Sequence, residues 1–175
     1  MIIFYWVKLK MGPNGSIKSR TSLKNHMHKI DDFIYLGDQY SVQNDKELQL
    51  CGIKNILQLY EVPRKEHLYN YCVLPLPRGK NFSILPVVQE SLRFIDQAIS
   101  RGEKVLVHCK FGKNRSATIV IAYYMASRDW SYRRAYEYIL NNRAIVPSNE
   151  LKNQILSIHH QLRTYLDPSK EIVRI

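Results

Sequence analysis

The chain has 175 residues, a net charge of +11, an isoelectric point near 9.6 and 45% apolar residues. That length suits one core with little left over, and the ordinary apolar fraction excludes a disordered or low-complexity chain. The charge directs attention to polyanionic partners. Cys51, Cys72 and Cys109, with no CxxC and no zinc spacing, exclude a disulfide framework and point to a reducing compartment, cytoplasmic or nuclear.

Residues 1–30 read as a basic arm, with six Lys/Arg and no acidic residue. Its opening apolar run, Ile2 to Val7, is far short of the ~20 residues that span a bilayer, and no signal-type cleavage site follows. Pro13-Asn14-Gly15-Ser16 reads as a turn or linker. Either an added edge strand or disordered arm, or a basic contact to RNA or an acidic membrane, fits this composition. A start at Met11 would formally match an N-myristoylation pattern, although Pro13 and the internal position speak against it.

Residues 31–166 carry the globular pattern. Strands are predicted at Phe33–Leu36, Lys54–Tyr60, Tyr71–Leu76 and Lys104–His108, the last two largely apolar. A short helix over Asp45–Cys51 ends at Gly52. Pro86–Ser100 has amphipathic spacing with Pro in its first turn. A continuous apolar run follows from Ala117 to Ala126. Ser131 and Ser148 are N-caps for helices Tyr132–Leu140 and Asn149–Tyr165, the second with Glu150 in its first turn. Residues 167–175 form a short tail. Tyr123, Tyr124, Tyr132, Tyr136 and Tyr138 read as packing residues. The sum is an α/β domain with a central mixed, mostly parallel sheet flanked by helices.

The segment from Val105 to Ala117, VLVHCKFGKNRSA, carries the chemistry. An apolar strand leads into His108-Cys109, and five residues later Arg115-Ser116 open a helix. Amides from Lys110, Phe111, Gly112, Lys113, Asn114 and Arg115 can converge on the oxyanions of one phosphate, helped by the helix N-terminus. The same field lowers a thiol pKa and makes Cys109 a thiolate nucleophile. Arg115 can hold two phosphate oxygens in its planar fork. Ser116 is placed to donate to the thiolate and ease its departure in a second step. His108 is expected to face inward and hold the loop by hydrogen bonds. Cys72 reads as a core thiol or, under oxidation, as a disulfide trap for Cys109.

These residues resemble the His-Cys-x5-Arg-Ser signature of the cysteine-dependent phosphatases, in particular the small dual-specificity type. The resemblance extends from Asp32 to Leu162, through Phe33–Gly37, Gly52–Gln58, Phe94–Ala98, Ala122–Met125, Tyr136–Ile139 and Pro147–Ile155. It implies a dual-specificity phosphatase-like fold in residues 31–166. The implied activity is hydrolysis of phosphotyrosine, phosphoserine and phosphothreonine in proteins through a phosphocysteine, with no metal and no cofactor. It also implies an Asp general acid on a loop roughly thirty residues before the nucleophile. Here that loop reads Leu74-Pro-Leu-Pro-Arg-Gly-Lys-Asn81, with Arg78 at the position of the Asp and no acid anywhere from His67 to Gln89. The acid then comes from elsewhere (Glu61, Glu66 or Asp129 by segment), or turnover proceeds without it, or the domain binds phosphate groups without turning them over. Arg78 and Lys80, with Lys110 and Lys113, are expected to line the rim of the pocket. HCKxGK resembles the phosphoinositide 3-phosphatase branch, whereas HCK with an RSA ending resembles the slingshot-type protein phosphatases. A phosphoinositide or an RNA 5′-triphosphate therefore stands beside phosphoprotein as a substrate.

Overall fold

Side chains that alternate between two apolar layers build the sheet. The computed structural model describes residues 25–61, 68–76 and 82–166; most of the basic arm, the tail, Glu66, Arg78 and Lys80 lie outside them. Five strands, β1 (Met27–Lys29), β2 (Ile34–Gly37), β3 (Ile53–Gln58), β4 (Asn70–Val73) and β5 (Lys104–His108), lie in the order β1-β2-β5-β3-β4. All neighbours run parallel except β1, which pairs antiparallel with β2. The mixed, mostly parallel α/β sheet expected from the sequence is present.

Five helices flank it: α1 (Asp45–Cys51), α2 (Leu85–Ser100), α3 (Arg115–Arg128), α4 (Tyr132–Leu140) and α5 (Asn149–Ser157). Val105 and Val107 of β5 join Ile34, Leu36 and Leu57 beneath α2 and α3, while Leu106 joins Tyr35, Ile56 and Leu48 beneath α1. Strand β5 is thus buried on both faces, which its unbroken apolar run requires. Residues Ser116 to Ala126 of α3 are all buried, as befits a helix apolar all round. No helix among the described residues is long and apolar enough to cross a membrane.

The predicted caps at Ser131 and Ser148 and the predicted stop at Gly52 are found, and Asn44 is a further cap. Asn44 accepts from the Glu47 amide, Ser131 from Arg134 and Ser148 from Leu151, and Gly52 ends α1 at φ +70°. Strands β2 and β3 and helix α2 shift by one or two residues from expectation, and other elements differ more. Strand β1 is an edge strand inside the basic segment, one of the options its composition left open; its three residues carry no strong alternation to mark the place. Strand β4 stops at Val73, ahead of Pro75, which has no amide to donate to the ladder. The helix expected over Asn149–Tyr165 breaks at Ile158 into a 3₁₀ segment, His159–Tyr165. Leu162 and Tyr165, three apart, are both buried there, and residues three apart lie one above the other in a 3₁₀ helix.

At the end of the sheet opposite the signature loop, Asn55 is fully buried. Its Nδ2 donates to Glu103 Oε2 (3.1 Å) and the Lys104 carbonyl (3.3 Å). Its Oδ1 accepts from Asn70 Nδ2 (2.8 Å) and Arg101 Nη2 (3.2 Å). One side chain thereby ties β3, β4 and the α2–β5 turn. Asn55→Ala leaves these groups short of partners and is expected to cost about 1–3 kcal/mol. Urea unfolding should show a lower midpoint at unchanged slope.

Candidate active site

Because β5 is clamped between β2 and β3, the chain leaves the sheet at the carboxyl edge of its parallel strands, where open α/β sheets hold their ligands. Cys109 follows at once and is 2% exposed. The next six residues turn back into α3. Cys109 donates its amide to the Gly37 carbonyl (3.4 Å), and Lys110 accepts from the Gln39 amide (3.4 Å), so the end of β2 supports the turn.

Gly112 sits at φ +63°, and a Cβ there would lie 2.5 Å from Arg143 Nη2 and 2.6 Å from the Gly37 carbonyl oxygen. Only glycine fits that backbone and that space. The amides of Phe111, Gly112 and Ser116 reach back to the Cys109 sulfur, and Ser116 Oγ lies 3.2 Å from Sγ. Burial pushes the thiol up, but the Ser116 hydroxyl and these amides outweigh it and hold the thiol below its ordinary value. With sulfur as thiolate, the hydroxyl is the donor.

Arg115 opens α3, its Nη1 donating to the carbonyls of Leu59 (3.0 Å) and Leu76 (3.3 Å). The guanidinium is thus set in place by the chain leaving β3 and β4. It lines a cavity of about 880 Å³ with Cys109, Lys110, Phe111, Lys113 and Asn114. Gly112 stands behind these and contributes backbone. The Phe111 side chain is 62% exposed, and Lys110 lies over its ring at 5.7 Å. Lys110 and Lys113 therefore stand at the rim, as the sequence suggested.

Residues 34–161 match the dual specificity phosphatase catalytic domain. This chain belongs to the dual-specificity phosphatase family. It is 33% identical over 142 residues to Protein phosphatase Slingshot of Drosophila melanogaster, covering 78% of this chain and 13% of that protein. It is 30% identical over 159 residues to human Dual specificity protein phosphatase 2, covering 86% and 51%. The chain spans about half the length of these relatives or less. In fold it resembles the human tyrosine phosphatase-like serine/threonine/tyrosine-interacting protein, at a TM-score of 0.71 and 30% identity over 77% of this chain and 96% of that one.

Within this phosphatase domain some expectations change. His108 is buried and faces inward, packed edge-on against Tyr60 with ring centroids 5.4 Å apart. The Asp38 backbone is its hydrogen-bonding neighbour, at a geometry looser than a well-formed bond, and packing surrounds the rest of the ring. Burial lowers its pKa to about 4, against a weaker opposing pull from the Asp38 backbone. Cys72 pairs with Leu57, which pairs in turn with Val107. Two strand spacings put it ~10 Å from β5, beyond the ~7 Å that a disulfide tolerates. Burial pushes its thiol up to about 11, so Cys72 is a core thiol and no trap for Cys109. Asp129 caps the far end of α3, its carboxylate 2.7 Å from Arg163. Glu61 is exposed and does not line the cavity.

The sequence reading missed Arg143. Only 8% exposed, it donates from Nε to the Gly112 carbonyl (2.9 Å) and from Nη1 to the His26 carbonyl (3.3 Å) and His28 Nδ1 (2.6 Å). It braces the signature loop from behind, and burial lowers its pKa. Nothing in Asn141-Asn142-Arg143 distinguishes this arginine from a solvated one. Its role comes from the α4–α5 connection, which packs on the loop through Val146 N to the Lys113 carbonyl (2.8 Å) and Ser148 N to Asn114 Oδ1 (2.9 Å).

Two outcomes are expected. Ser116→Ala removes one donor to the thiolate, which raises the Cys109 pKa. The pH profile of iodoacetamide alkylation should move upward accordingly. His108, with a pKa near 6.5 when unfolded and about 4 when folded, binds more protons in the unfolded chain between those values. Its contribution is complete above pH 6.5 and is lost as pH falls toward 4, about 3 kcal/mol in all. Chemical denaturation across that window should show His108→Gln losing less stability with acid than the wild type.

Proposed function

We propose that this domain hydrolyses phosphate monoesters of phosphotyrosine, phosphoserine and phosphothreonine in proteins through a phosphocysteine on Cys109. The observation that carries this reading is the buried Cys109 sulfur, with Ser116 Oγ at 3.2 Å and the Phe111 and Gly112 amides directed at it. The thiolate attacks phosphorus while the loop amides and Arg115 stabilise the equatorial oxygens. Water then attacks the phosphocysteine, and Ser116 donates to sulfur as the S–P bond breaks. The rim lysines and the +11 net charge raise the local concentration of anionic substrate.

A second reading, a phospho-binding module with little turnover, is favoured by the absence of any Asp or Glu from His67 to Gln89. The similarity to a protein described as phosphatase-like and interacting points the same way. Hydrolysis of a graded set of phosphates separates the two. The set runs from an activated aryl ester through phosphotyrosine and phosphothreonine peptides to a phosphoinositide and a 5′-triphosphorylated RNA. The expected result is turnover of the peptides by wild type and none by Cys109→Ser, which keeps phosphate affinity. Tight binding with no turnover of any member would establish the module, and turnover surviving in Cys109→Ser would exclude the covalent route.

A further inference from the structure

We propose that Glu150 is the proton donor to the leaving oxygen in this site, standing in for the acid that the segment before the nucleophile lacks. This role rests on the phosphocysteine mechanism above. Expelling a Ser or Thr alkoxide, or a phenolate whose phenol pKa is ~10, needs a proton delivered as the P–O bond breaks. Among the described residues, the carboxylates lining the cavity that contains Cys109 are Asp38 and Glu150. Both oxygens of Asp38 are committed. Oδ2 accepts from His26 Nδ1 at 2.9 Å, and Oδ1 accepts from the Tyr40 amide at 2.9 Å. Glu150 has no hydrogen bond or ion pair to any described residue and is free to turn to a ligand.

Its backbone is nonetheless fixed relative to the nucleophile. Ser148, two residues before it, donates its amide to Asn114 Oδ1 of the signature loop and caps α5 with its hydroxyl. Leu151 and Phe82 line the same cavity. Phe82 resumes the chain directly after the acid-free segment, and Ile84 of the same stretch donates its amide to Gln154 Oε1 of α5 (2.9 Å). Glu150 therefore stands on the helix to which the chain after Phe82 is tied.

The steps balance. In the first, the Cys109 thiolate forms the S–P bond, the P–O electron pair passes to the leaving oxygen, and the Glu150 carboxyl gives that oxygen its proton. In the second, the Glu150 carboxylate takes a proton from water as the water oxygen attacks phosphorus, and the S–P pair returns to sulfur.

The test is a leaving-group series of aryl phosphates, from dinitrophenyl to phenyl phosphate, with a phosphothreonine peptide. It is run on wild type, Glu150→Gln, Glu150→Asp and Cys109→Ser, each checked for its thermal transition. Wild type is expected to show a shallow dependence on the leaving group. Glu150→Gln should lose about 10²-fold in kcat on phenyl phosphate and far less on the dinitrophenyl ester, steepening the dependence. It should also lose the alkaline limb of the pH–kcat profile, with partial recovery in Glu150→Asp. A uniform loss across the series, an unchanged slope, or a wild type already as steep as Glu150→Gln would overturn the role. Cys109→Ser keeps the two readings apart. If it is inactive while Glu150→Gln behaves as wild type, the covalent route stands and only the donor role falls.

Discussion

Keeping a buried thiol easy to ionise is the constraint on which this molecule turns. A sulfur that is 2% exposed loses the hydration that would stabilise its charge, and desolvation alone would leave it neutral and inert. The turn after β5 replaces that water with oriented donors: the Ser116 hydroxyl and the amides of Phe111, Gly112 and Ser116. Those donors point inward only because the chain passes through a left-handed backbone at Gly112, where Gly37 and Arg143 leave no room for a side chain. In the proposed mechanism the phosphate cradle and the sulfur are one device, since the dipoles that lower the thiol pKa also receive the oxyanions of the substrate.

The rest of the fold holds that device still. Its floor is β5, wedged between β2 and β3; its exit is α3, buried along nearly its whole length; its back is Arg143, carried on the α4–α5 connection. Tyr60, on the chain leaving β3, packs against His108, and burial together with the Cys109 charge pushes its phenol up to about 12. The aromatic wall behind the nucleophile therefore stays neutral and does not compete for the donors that the thiolate needs.

Much of this could be read from residue order, for physical reasons that also mark where reading fails. An apolar strand ending in His108-Cys109, followed by a helix opening on Arg115-Ser116, constrains local geometry so tightly that the cradle and its nucleophile were visible in thirteen residues. The caps at Ser131 and Ser148 are likewise local, and a local pattern is sufficient to place them. Long-range packing is not local. Arg143 reaches Gly112 across the domain, and no spacing rule connects them. Cys72 looked able to approach Cys109 until strand order put β3 between its strand and β5. Glu150 read as a first-turn acid that merely complements its helix, because only the packing of α5 against Asn114 brings it to the cavity. The break at Ile158 was hidden because apolar residues at three- and four-residue spacings fit an α-helix as readily as a tighter one.

The strand order has a kinetic consequence. Strand β5 pairs Val105 with Ile34 on one side and with Asn55 on the other, partners far away along the chain. Contacts of that kind form late, because closing long loops costs entropy before any pairing rewards it. The reactive sulfur is therefore armed only when the native sheet has closed. A chain emerging from synthesis, or one opened locally by stress, carries at Cys109 an ordinary thiol with neither enhanced nucleophilicity nor an anion cradle. The lowered thiol pKa is in this sense a property of the closed sheet and not of the thirteen-residue segment alone.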